Sequence, residues 1–79
     1  MKLWLISQDK NNGYDTYDSA VVAAETQQAA QETLPSEWTK WDDYFNNWVD
    51  SPDKVSAILI GEATENTKPG VICASFNAG

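Results

Sequence analysis

The sequence has no histidine, no arginine and a single cysteine, and it sets only five lysines against twelve Asp and Glu residues. Without histidine, the usual general base near neutral pH is missing. Without arginine, so is the planar fork that clamps phosphate or carboxylate substrates. The expectation is a protein that is not an enzyme. Nucleic-acid binding relies on Lys and Arg to displace counterions from phosphates, and a formal charge of -7 runs against it. The lone Cys73 cannot close an intramolecular disulfide, whereas small domains of oxidising compartments are commonly stapled by several, so a cytoplasmic location is expected. Long apolar runs are absent as well. The longest, residues 3–6 and 20–24, fall far short of the roughly 20 residues of a membrane span. The first residues lack the apolar run and small-residue cleavage site of a secretory signal.

What is present suits a folded chain. At 79 residues, 42% hydrophobic, with four Trp, three Tyr and two Phe, the sequence has the bulk for a single small domain, residues 1–79. No repeat, low-complexity tract or linker interrupts it.

Residues 3–8 are short, apolar and aromatic, as in a strand buried on at least one face. Residues 9–13 then collect turn formers ending in Asn12-Gly13, which predicts a hairpin into a second strand over residues 14–24. Both parities of that strand are partly apolar, so its far half is expected to be central. Thr26 is a candidate N-cap for a helix over residues 27–34, closed by Pro35. Trp38, Trp41, Phe45 and Trp48 recur at steps of three, four and three, which predicts a second helix over residues 37–49, against the mediocre helix propensity of aromatics and the Asn46-Asn47 pair. Residues 55–63 read as an interior strand, apolar on both parities, and residues 71–76 as a last strand after the Pro69-Gly70 turn. The predicted fold class is α+β: a four-stranded, mainly antiparallel sheet with one or two helices on one face, in the order β-β-α-(α)-β-β.

No reaction chemistry emerges. Cys73 has no histidine partner and sits in an apolar strand, which reads as a buried, inert thiol. Asp42 and Asp43 are adjacent, and neighbours on a helix diverge by about 100°, so a solvated face explains them better than a shared proton. Asp9, Asn11, Gly13 and Asp15 open with the rhythm of a calcium loop. The sixth and twelfth positions of such a loop would be Tyr14 and Ala20 in place of Gly and Glu, so a plain hairpin loop is preferred. Neither a metal nor a cofactor is expected.

The aromatic stripe has two readings. Aromatics at helical spacing usually pack into a core, and core packing is the default. Three tryptophans within residues 38–48, in a segment that also carries Glu37, Asp42, Asp43 and Asp50, form an alternative interface, since Trp and Tyr anchor protein contacts and carboxylates complement a basic groove. Charge is likewise double: acidic surfaces mostly serve solubility, while carboxylates spaced like phosphates can occupy a cationic channel built for nucleic acid. The candidate partner-binding residues are Asp42, Asp43, Asp50, Asp53, Trp38, Tyr44 and Trp48.

Lys2-Leu3-Trp4-Leu5-Ile6-Ser7-Gln8, the run from Asn12 to Ala24, Ser51-Pro52-Asp53, Ile60-Gly61-Glu62-Ala63 and the run from Lys68 to Gly79 together resemble a family of small bacteriophage and prophage proteins. The likeness covers most of the chain outside residues 27–47, and no functional residue is carried over from it. It implies a context: small acidic phage proteins without catalytic residues include inhibitors of host defence, anti-CRISPR proteins among them. On that resemblance the leading expectation is a non-enzymatic, anti-CRISPR-like inhibitor in the cytoplasm of the bacterial host. It would bind a basic, nucleic-acid-binding surface of a protein or protein-RNA effector, without contacting nucleic acid or membrane. A small virion or assembly accessory, acting through protein contacts, β-edge pairing or a homodimer, is the alternative. A small-molecule module with a pocket between sheet and helices is a third class.

Overall fold

The computed structural model describes residues 1–10, 15–36, 39, 41 and 47–77. Strand β1, Lys2–Ser7, and strand β2, Thr16–Ala24, form the expected antiparallel hairpin, with Leu3 opposite Ala23 and Ser7 opposite Ser19. Its Asn12-Gly13 tip lies outside the described residues, and Asp15 enters β2 with a left-handed φ of 59°, a conformation Asp tolerates better than most residues. Gln8 ties the base of the hairpin. Its Nε2 donates to the Tyr17 carbonyl at 2.9 Å and its Oε1 accepts from the Lys10 amide at 2.9 Å.

Strand β3, Ser56–Glu62, pairs antiparallel with β1, and strand β4, Gly70–Asn77, pairs antiparallel with β2, giving the order β3-β1-β2-β4. β2 is internal, as its two apolar parities predict. β3 is not, which corrects the reading of residues 55–63 as interior. β1 already has β2 on one side and β3 on the other, so β3 closes the sheet as an edge, and Ile58, Leu59 and Ile60 stay half exposed. Cys73 is corrected in the same way: it lies on the opposite edge strand, cross-strand from Val21, and its thiol is exposed.

Among the described residues there is one α-helix, α1, Gln27–Gln31, and a 3-10 turn at Pro52–Lys54. The Thr26 hydroxyl caps α1 by accepting from the Ala29 amide at 3.1 Å, as the sequence predicts. The helix stops three residues short of the expected end. The Thr33 amide bonds back to the Ala30 carbonyl, tightening the last turn, and Pro35 disfavours helical backbone at Leu34. Most of the predicted second helix, residues 37–49, lies outside the described residues; its described end, residues 47–49, is not helical.

The core forms on one face of the sheet. Trp4, Ile6, Ala20, Val22 and Ala57 supply the sheet side, and Ala30, Trp48, Val49 and Val55 cover them. Trp4 Nε1 donates to the Ala24 carbonyl at 3.0 Å, so its polar atom is satisfied in the interior. Trp48 is fully buried, and the neighbouring Asn47 carbonyl accepts from the Tyr17 amide at 2.8 Å, hanging this segment on β2. Trp41 packs half-buried at the margin. The other face is shallower, and two rows cross all four strands there: Ile58, Leu5, Val21 and Cys73, then Ser56, Ser7, Ser19 and Ser75.

Removing the Trp48 side chain would leave a large cavity. Trp48→Ala is expected to cost about 3–5 kcal/mol in urea denaturation, and Trp41→Ala distinctly less. Gly70 opens β4 with φ +133°, which a side chain rarely adopts, so Gly70→Ala should cost about 1–3 kcal/mol although the space around it is open.

Candidate functional site

The described part of the acidic segment surrounds the 3-10 turn before β3. The turn forms because Pro52 fixes φ at its first position and the Lys54 and Val55 amides bond back to the Ser51 and Pro52 carbonyls. It follows directly on the buried Trp48-Val49 pair. That anchor leaves Asp50, Asp53 and Lys54 exposed on the far side.

Two of the seven candidate partner-binding residues, Asp50 and Asp53, are therefore on the surface. A third, Trp48, is placed in the core, with no surface to offer a partner in this conformation; its apolar bulk is taken up by the face of Trp4, Ile6 and Val22. Trp38, Asp42, Asp43 and Tyr44 lie outside the described residues.

Asp50 is not a free carboxylate. Lys54 Nζ donates to its Oδ1 at 2.7 Å, a pairing legible in the four-residue spacing but absent from the sequence reading. The hydrogen bond from Lys54 holds the Asp50 carboxyl below the usual carboxylate range, and the same bond raises Lys54 above the usual lysine range. Asp53 accepts from the Ser51 hydroxyl.

Between this turn and α1 lies an open depression of about 300 Å³ lined by Gln28, Gln31, Glu32, Pro52 and Asp53. Glu32 is a carboxylate that the sequence reading did not place here. Its Oε2 accepts from Gln28 Nε2 at 3.3 Å. Gln31 faces the other way in function, donating from Nε2 to the Val55 carbonyl at 2.9 Å. The depression thus carries two carboxylates and amide groups on a shallow floor, a shape suited to the side chains of a cationic surface rather than to enclosing a small molecule. Among the described residues no three His, Cys, Asp or Glu side chains converge as metal ligands, and no helix is long and apolar enough to cross a membrane.

Comparison with known proteins gives no relative: no protein-family model, no curated protein and no solved structure matches the chain.

The Asp50–Lys54 pair predicts a pH dependence with a definite sign. Asp50 has a lowered folded value, so its contribution is present above the ordinary carboxylate range and is lost as pH falls through the lowered value. Lys54 has a raised value, so its contribution is present below the ordinary lysine range and disappears as pH rises through the raised value. Both side chains are solvated, so the effect is small and screened by salt. Melting curves of the parent and of Asp50→Asn should differ slightly at neutral pH in low salt and converge at acid pH and in high salt.

Proposed function

We propose that this chain is a non-enzymatic binding protein whose acidic surface occupies a cationic, nucleic-acid-binding surface of a partner. The observation that carries this reading is the charge together with where it stands: a formal -7 without arginine, and Asp53 and Glu32 facing solvent across one depression with Asp50 beside them. Such a surface gains the long-range attraction that a nucleic acid would have for the same partner, and competes with it. The partner class follows from that complementarity: a protein or ribonucleoprotein with a basic groove. Its more specific form is inhibition of a bacterial defence effector of the CRISPR type by a phage-encoded protein, and it rests on the sequence resemblance described above.

Lys54 limits the reading usefully. It neutralises Asp50 locally, so at the depression Asp53 and Glu32 carry the excess charge, and Glu37, Asp42 and Asp43 are further carboxylates of the acidic segment.

The test is binding to purified guide-loaded CRISPR effector complexes, read by surface plasmon resonance across a salt series with target nucleic acid as competitor. Affinity should fall steeply with salt, and target and protein should exclude each other. Combined reversal of Asp42, Asp43 and Asp53 to Lys should weaken binding more than about tenfold, since each reversal replaces an attraction by a repulsion. Binding indifferent to salt, or intact after the reversals, would reject the mechanism.

A further inference from the structure

Residues 55–60, Val-Ser-Ala-Ile-Leu-Ile, carry the signature of a self-pairing segment: mostly strand-forming residues in an unbroken run without charge, proline or glycine. They lie along a sheet edge, and Ile58, Leu59 and Ile60 are each half exposed there. Such an edge is a template for another copy of the chain.

The fold fills that template from within. The carbonyls of Val55 and Ala57 are both taken by side chains of α1, Gln31 Nε2 donating to Val55 and Gln27 Nε2 to Ala57, each at 2.9 Å. The Val55 amide is used as well, bonding to the Pro52 carbonyl at 3.0 Å. Outward backbone groups recur at every second position of an antiparallel strand, so the next outward position is Leu59. There the regular ladder ends, because the register between β1 and β3 shifts with Ile60 as the extra residue.

Two repeats match across this contact. Gln27 and Gln31 stand four residues apart on one helix face, about 6.0 Å along the axis, and two residues of strand span about 6.7 Å. The helix runs antiparallel to β3, with Gln27 at Ala57 and Gln31 at Val55. A helix of five residues does not sustain itself in water. The Thr26 cap, the buried Ala30 and these two glutamines hold it in place.

We infer that α1 is a stand-in strand: its two glutamines occupy the outer backbone of β3 and keep this chain from pairing through that edge with other copies of itself. Side-chain amides suit the role. They donate without adding charge, while the helix backbone behind them bonds to itself, Ala30 to Thr26 and Glu32 to Gln28, and offers no new edge. Charge acts in the same sense, since Lys54 and Glu62 flank the segment and two chains of -7 repel. The opposite edge is interrupted in another way: the ladder of β4 with β2 shifts at Ile72 and again between Ser75 and Phe76.

The parent itself carries the first test. In proton NMR the side-chain amide protons of Gln27 and Gln31 should exchange with solvent at least about tenfold more slowly than those of Gln28, whose bond to Glu32 is exposed. The second test removes the donors. Gln27→Ala combined with Gln31→Ala does not lower helix propensity, because alanine is the better helix former. In high salt, where repulsion is screened, sedimentation velocity should show this double variant associating at concentrations more than about tenfold below those the parent requires. Ile58→Lys added to the double variant should restore the monomer, and Ala74→Lys, on β4, should not. Val22→Ala weakens the core without touching the glutamines and should leave the folded chain no more associated than the parent. Fast exchange of the Gln27 and Gln31 amides in the parent would overturn the inference. So would a double variant no more associated than the parent, restoration by Ala74→Lys in place of Ile58→Lys, or equal association of Val22→Ala.

Discussion

β1 and β2 each use both backbone edges, β1 against β2 and β3, and β2 against β1 and β4. Nearly everything else in the structure takes its position from that doubly paired hairpin. Trp4 and Ile6 on β1 and Ala20 and Val22 on β2 build the buried face, α1 settles over it, and the Tyr17 amide holds the Asn47 carbonyl so that Trp48 enters from above. A small domain has little surplus stability with which to tolerate a misplaced central strand. The buried bond from Trp4 to the Ala24 carbonyl and the two bonds of Gln8 secure the hairpin at both ends.

The hairpin was legible because its signal is local. Alternation, turn formers and the Thr26 cap are read within a few residues, and four strands emerged within two residues of their observed ends. The edge position of β3 was not legible, because apolarity on both parities has two causes that sequence does not separate. In β2 it reflects burial between neighbours, whereas in β3 Ile58, Leu59 and Ile60 are left half exposed at an edge. The exposure of Cys73 has the same cause: an apolar strand at the edge of a sheet is not a buried one. Strand order depends on contacts between distant segments, and no window along the chain contains it.

The candidate site was legible in kind more than in detail. Charge density points to Asp50 and Asp53, and both are exposed, but it does not point to Lys54 and Glu32, which change the local balance in opposite directions. Lys54 could have been found from its four-residue spacing to Asp50. Glu32 could not, since it meets the turn only because α1 and residues 50–54 are brought together by the fold.

Trp48 shows why aromatic and acidic residues crowd into one segment without sharing one role. A short turn with exposed carboxylates has few apolar contacts of its own, and left alone it would sample many arrangements. Burying Trp48 and Val49 immediately before it, and Val55 immediately after, pins both ends in the core. Asp50 and Asp53 are thereby held in water at a fixed place relative to α1 and Glu32. Preorganised charge of this kind loses less freedom on meeting a complementary surface than charge on a free loop. The tryptophan thus acts on the charged surface indirectly, from inside, by fixing the residues that remain outside.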